Sequence, residues 1–224
     1  MIVGSYFKRL HISKVVHCGE AAYLIYFAGI KIREQNRRVH NFTQIVLHNK
    51  PRWVTEVVPS FDTVMISFNP LEVDQYNFFK WLSQLEYSEY SSQTSNHHTI
   101  KVNYDRSKKY DLANVAQSIN RSINDVVSMH TASTYTAYAV GFLPGFAYLG
   151  DTHQSMQLPR LSKPRSKVPA GAVAIADSYT AVYPAESPGG WHLIGTLADN
   201  QSTMLELDIK AGDTVAFMDC DIDN

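Results

Sequence analysis

Two arginines, Arg160 and Arg165, each follow a proline, Pro159 and Pro164, in the stretch L-P-R-L-S-K-P-R-S-K-V-P-A-G (Leu158–Gly171). A planar guanidinium grips a carboxylate or phosphate through two parallel hydrogen bonds, each worth roughly 1.5–3 kcal/mol when charge-assisted. A proline-fixed backbone lowers the entropy lost in gripping. Two more stretches share this punctuation: G-F-L-P-G-F-A-Y-L-G (Gly141–Gly150) and Y-P-A-E-S-P-G-G-W-H-L-I-G (Tyr183–Gly195). Six of the nine prolines fall between Gly141 and Gly195, so this region must be rigid loop rather than helix or central strand. With Phe142, Phe146, Tyr148, Tyr183 and Trp191 it reads as a pocket for a small anionic ligand, aromatic-walled and cation-lined. The same composition also covers the ends of ordinary β-barrels. Ser187-Pro188-Gly189-Gly190-Trp191 has two readings as well. The Gly189 and Gly190 amides can form an anion-binding nest, or the segment is a tight barrel turn with Trp191 as a plug. Lys163 and Lys167 enlarge the local positive field or are simply solvated. His130, at the end of a short predicted helix, is either an acid/base titrating near neutrality or a cap on the helix C-terminus.

Other chemistries are excluded by pattern. There is no G-x-x-x-x-G-K-[ST], no G-x-G-x-x-G and no G-x-S-x-G. No histidine or cysteine spacing suits a metal, and His97-His98 reads as part of a solvated linker, so no metal site is expected. A formal net charge of -1 argues against nucleic acid or an anionic membrane as partner. No run approaches the ~18 apolar residues of a membrane span, and the N-terminal residues lack the apolar core of a signal peptide. With Cys18 and Cys220 as free thiols, the expected location is the cytoplasm.

The elements that must position these loops follow from periodicity. Ala22–Phe27 reads as a buried strand. Ile32 to His48, with Val39, Phe42 and Val46 at helical spacing, is an amphipathic helix ended by Pro51. Trp53–Val58 and Thr63–Phe68 make a hairpin. Asp74 caps a helix whose apolar face is Phe78, Leu82 and Leu85, and Thr99–Tyr104 is a further strand. This β-α-β-β-α-β order predicts a ferredoxin-like sandwich over residues 1–104. Leu112, Val115, Ala116 and Ile119 place a helix, and Ser122–Asp125 opens another with a capping box. Residues 105–133 thus read as a helical linker. Short strands at Thr134–Gly141, Ala172–Ala176, Thr180–Tyr183, His192–Ile194 and Thr214–Phe217 predict a closed β-barrel over residues 134–224.

The three punctuated motifs, in this order, resemble the signature of the family that comprises KipI, the B-type subunit of 5-oxoprolinase and allophanate hydrolase subunit 1. The likeness extends upstream through Met129-His130, Asp111-Leu112 and Gly19-Glu20. It implies an α+β N-terminal domain followed by a cyclophilin-like β-barrel. It also implies a hetero-oligomer with a C-type, cyclophilin-like partner, and ATP-dependent opening of 5-oxo-L-proline to L-glutamate. ATP, with Mg2+, would be bound by that partner or shared with it. Members of the same family inhibit a histidine kinase, and related modules serve in urea carboxylase or carry the name allophanate hydrolase. Within that frame Arg160 and Arg165 are expected to clamp the anion, with His130 and Arg165 as the catalytic candidates. Phe142, Phe146, Tyr148, Tyr183, Ser187, Gly189, Gly190 and Trp191 are expected to line the substrate. The chain departs from the family pattern at Asn103, Lys109-Tyr110, Ala172 and Gly195-Thr196, where a cysteine, a Gly-Pro pair, a serine and an arginine are usual.

Overall fold

The apolar run Ala22–Phe27 and the alternating run Thr63–Phe68 both become strands, and they lie side by side. The computed structural model describes residues 5–89, 95–199 and 203–220, and divides into two units, residues 1–94 and 95–224. The first unit holds a helical turn α1 (Ser5–Lys8), strands β1 (Ile12–His17) and β2 (Ala22–Phe27), helix α2 (Ile32–His48), strands β3 (Val54–Pro59) and β4 (Thr63–Phe68), and helix α3 (Gln75–Gln84). Its sheet is antiparallel throughout, in the order β1-β2-β4-β3. Helix α2 turns Val39, Phe42, Ile45 and Val46 into a core with Ile25, Val64 and Ile66, as its periodicity requires. The buried Asn36 amide donates to the carbonyls of Ser60 and Phe61, tying the helix to the β3–β4 turn. Asp74 caps α3 as predicted, accepting from the Asn77 amide at 2.7 Å.

The expected ferredoxin-like order is not what forms. Strand β5 (His97–Tyr104) belongs to the second unit, where alternate residues Ile100, Val102 and Tyr104 enter another core. The fourth place in the first sheet goes to β1, joined to β2 through Gly19 at φ +71°. Strand β1 exposes Ser13, Lys14 and His17 between its apolar residues, which breaks up its apolar signal. The division accordingly precedes the boundary expected at Tyr104.

The second unit is a closed barrel of order β10-β7-β6-β13-β5-β12-β9. Its further strands are β6 (Thr134–Val140), β7 (Ala147–Gly150), β8 (Arg165–Val168), β9 (Ala172–Ala176), β10 (Tyr179–Val182), β11 (Ser187–Gly189), β12 (His192–Leu197) and β13 (Thr214–Asp219). Strands β5 and β13 run parallel; the other barrel pairs are antiparallel. Strands β8 and β11 form a separate two-stranded ribbon. Helices α4 (Leu112–Ser118) and α5 (Ile123–Thr131) are no linker: Leu112, Val115, Val126 and Val127 share the core of the barrel with Val102, Leu149 and Ile175. A short α6 (Met204–Leu207) precedes β13. The Ser122–Asp125 capping box forms as predicted. His98 sits in β5 rather than a solvated linker, with Nε2 2.9 Å from the carboxylate of Asp213.

The run A-V-A-I-A of β9 is buried along its whole length because both faces are covered. Val173 and Ile175 point into the barrel. Ala172, Ala174 and Ala176 face a second apolar layer of Phe146, Val168, Tyr183, Trp191 and Leu193. Alanines on that face leave room for the aromatic rings.

Inside the barrel, His130 is fully buried. The Thr180 hydroxyl donates to the Ala174 carbonyl at 3.0 Å, so it accepts from His130 Nε2 at 2.8 Å, and Nδ1 accepts from the Tyr104 hydroxyl at 2.6 Å. Burial holds the imidazole neutral, its pKa pushed down to about 3, and pushes the Tyr104 phenol up. The unfolded chain, with an ordinary histidine, binds this proton first. Between pH 6.5 and about 3 the unfolded state therefore holds more protons, and stability falls as pH falls. Chemical denaturation between pH 7 and pH 4.5 is expected to show this loss, up to roughly 1.4 kcal/mol per pH unit from this residue. His130→Gln should flatten the slope; an unchanged slope would show that other groups govern it.

Candidate functional site

The five aromatic residues singled out in the loops converge. Phe146 stands at the centre, edge-on to Phe142 (5.3 Å between centroids), Tyr148 (4.9 Å), Tyr183 (5.3 Å) and Trp191 (5.9 Å). Edge-to-face contacts are the geometry that ring quadrupoles favour. Phe146, Tyr183 and Trp191 are nearly inaccessible, so these rings pack against one another as a satellite core instead of walling an open pocket. Phe142 differs. It is exposed and held at φ +81°, a left-handed conformation rare for a bulky residue, beside Gly141 and ahead of Gly145.

The two arginines have opposite circumstances. Arg165 opens β8, and its Nη2 lies 2.7 Å from both carboxylate oxygens of Asp111 while Nη1 donates to the Trp191 carbonyl at 3.2 Å. Asp111 is brought there by the loop after β5. In that loop the Asp105 carboxylate collects the Ser107 hydroxyl and the amides of Lys109 and Tyr110. Burial pushes Asp105 up, but these bonds outweigh it and hold the carboxyl below its usual range. Asp111 then exchanges backbone and side-chain bonds with Leu193: its amide donates to the Leu193 carbonyl (2.8 Å), and its Oδ2 accepts from the Leu193 amide (2.7 Å). Arg165 is thus a structural cation, neutralised on the spot, and not the second arm of an open clamp.

Arg160 is largely exposed. Its guanidinium carbon lies 6.0 Å from the Trp191 ring centroid, and its ion pair with the exposed Asp177 is long at 3.8 Å. The segment carrying it is pinned to the glycine turn, because the Leu161 amide donates to the Gly190 carbonyl (2.7 Å) and His192 Nε2 donates to the Pro159 carbonyl (2.9 Å). Both arginines therefore reach Trp191. Their charges also pull down the pKa of the Tyr183 hydroxyl, which burial, the larger effect, pushes up. Lys167 pairs with Glu186 at 2.9 Å on the surface.

The glycine turn does not form the expected nest. Gly189 lies in β11 opposite Arg165, and neither Gly189 nor Gly190 has the positive φ of alternating-handed backbone. Glycine is required at 189 for another reason: a Cβ there would sit 2.3 Å from the Tyr183 hydroxyl oxygen. Ser187, beside it, buries its hydroxyl oxygen with no hydrogen-bond partner. His130 lies apart. Its ring partners are Tyr104, Thr180, Tyr135 and Phe217, none of them on the three loops, and it presents neither nitrogen as an acid, a base or a helix cap. Asp111 is the residue that sequence reasoning missed. Its place at the start of α4 was readable, but its pairing with Arg165, far along the chain, was not.

Residues 13–199 match the family model described as carboxyltransferase domain, subdomain C and D. This chain belongs to that family. Among characterised relatives of this carboxyltransferase-domain chain, the B-type subunit of 5-oxoprolinase from Bacillus subtilis is 30% identical over 230 residues, covering 92% of each chain. The corresponding 5-oxoprolinase B-type subunit of Haemophilus influenzae is 35% identical over 164 residues, covering 70% of this chain and 73% of its own. Both names denote a component of a hydrolytic enzyme. The crystal structure of TTHA0988 superposes with a TM-score of 0.75 at 29% identity, covering 89% of this chain. This chain spans only 39% of that longer polypeptide. No helix among the described residues is long and apolar enough to cross a membrane. No group of three or more His, Cys, Asp or Glu among them stands ready to hold a metal ion.

The contrast between the arginines can be read by thermal melting. Arg165→Ala leaves the Asp111 carboxylate, 10% exposed, without its cation, and a loss of roughly 1.5–3 kcal/mol is expected. Arg160→Ala breaks only a long, exposed pair and should change stability by less than about 0.5 kcal/mol. Equal melting shifts for the two variants would contradict this assignment.

Proposed function

We propose that this chain is the B-type subunit of an ATP-dependent 5-oxoprolinase in the cytoplasm, acting in a hetero-oligomer with a C-type, cyclophilin-like partner. The names of the relatives support the reaction class. The observation that carries the substrate assignment is Arg160: a lightly paired guanidinium over Trp191, with Arg165 already neutralised beside it. A guanidinium so lightly paired suits an anionic group on the ligand, such as the carboxylate of 5-oxoproline. The Tyr183 hydroxyl feels the charge of both guanidinium groups, and the buried, partnerless hydroxyl of Ser187 lies on β11, the strand that pairs with the one Arg165 opens. The packed rings under Trp191 keep water from below that surface.

In this reading Arg160 orients the substrate through its carboxylate, and Arg165 holds the surface on which Arg160 rests. His130 takes no part in proton transfer, because both of its nitrogens are engaged inside the barrel. With Arg165 neutralised by Asp111, the loops keep less fixed positive charge for the triphosphate of ATP. ATP and Mg2+ are accordingly assigned to the partner or to the assembled complex.

Co-expression with a C-type partner and any further chain the complex needs, followed by a 5-oxoproline-dependent ATP hydrolysis assay, tests the reading. The wild-type complex is expected to hydrolyse ATP only with 5-oxoproline present. Arg160→Ala should raise the KM for 5-oxoproline by about 10- to 100-fold, the equivalent of one charge-assisted contact. Failure of 5-oxoproline to stimulate the assembled wild-type complex would overturn the assignment, and an unchanged KM in Arg160→Ala would remove Arg160 from it.

A further inference from the structure

We infer that Asp111 is the positioning residue of this site, acting through Arg165 and Leu193 to fix the turn that carries Trp191; this rests on the functional reading above. One carboxylate accepts from Arg165 Nη2 on both oxygens and from the Leu193 amide on Oδ2, all at 2.7 Å. Arg165 in turn donates from Nη1 to the Trp191 carbonyl. The backbone of Asp111 closes the frame by donating to the Leu193 carbonyl. A single side chain at the start of α4 thus fixes the first residue of β8 and both ends of the Trp191–Leu193 segment. The platform beneath Arg160 belongs to that same segment.

The frame needs a carboxylate. All three donors aim at oxygen, and an amide of the same shape has one oxygen to offer, so its NH2 would face either the Arg165 guanidinium or the Leu193 amide, donor against donor. The negative charge has a second effect. It offsets the charge of Arg165, so that Arg160 is the less neutralised of the two guanidinium groups that reach Trp191.

The test uses the assembled complex and the variants Asp111→Asn, Arg165→Gln and the double variant. Asp111→Asn is expected to raise the KM for 5-oxoproline about tenfold, with kcat changed by no more than about twofold, because the contact to the substrate carboxylate is made equally in the ground and transition states while the reacting groups remain. The double variant should be no worse than the poorer single one, since both remove the same frame. Multiplying effects, or an unchanged KM in folded Asp111→Asn, would overturn the inference. Arg165→Gln breaks the pair from the other side and carries the test if Asp111→Asn does not fold. A second readout needs no substrate. In a Trp53→Phe/Trp81→Phe background, Trp191 is the remaining tryptophan, and Asp111→Asn should increase its quenching by acrylamide. Unchanged quenching rejects the positioning role. If the wild-type complex ignores 5-oxoproline, the functional reading fails while the quenching measurement still decides the part played by Asp111.

Discussion

The ion pair between Asp111 and Arg165, one guanidinium nitrogen against both carboxylate oxygens, is the constraint on which the loop region depends. Loops rich in proline and glycine have few ladder hydrogen bonds of their own, so their conformation must be set by contacts from elsewhere. Here the contact comes from a carboxylate whose capacity to accept is used by a guanidinium and a backbone amide together. Its neighbour Asp105 does the same on a smaller scale, drawing three donors into the preceding loop. Partly buried charge is costly unless paired and hydrogen-bonded, and both conditions are met.

The pair also shows why two proline-arginine steps produce unlike arginines. Arg160 and Arg165 each follow a proline, and the flanking leucines of one and the lysine and serine of the other do not say which partner either guanidinium will meet. Arg165 becomes the first residue of a paired strand and meets an acid supplied by a distant loop. Arg160 stays in a segment tied to the glycine turn by the Leu161 amide and the His192 ring, and its side chain comes to rest over an aromatic face. Which arginine is structural is decided by tertiary partners.

The same distinction explains how much could be read from the sequence. Helix α2, the hairpin of β3 and β4, the caps at Asp74 and Ser122 and strands such as β6, β9 and β13 were legible because each rests on local periodicity or on a cap within a few residues, whereas the short α6 was not anticipated. The gathering of aromatic loops was legible too, since proline and glycine fix where the chain must turn. Strand β1 was hidden by its mixed composition, and β5 was given to the wrong sheet because its alternation fits any half-buried strand. His130 was misjudged because full burial is a property of the barrel and not of the helix end. The nest at Gly189 was misjudged because its glycine makes room for Tyr183, a reason visible only once both are in place.

The parallel pairing of β5 with β13 has a consequence for assembly. The first strand of the barrel has as its neighbours β12 and β13, the last two to leave the ribosome. Until they emerge, β5 has bare edges on both sides while hairpins such as β6–β7 and β9–β10 can already zip up. Closure is therefore a late, long-range event with a large loop entropy to overcome. Losing the final strand would do more than shorten the sheet: it would open the ring between β5 and β6 and leave adhesive strand edges where a seamless wall had been.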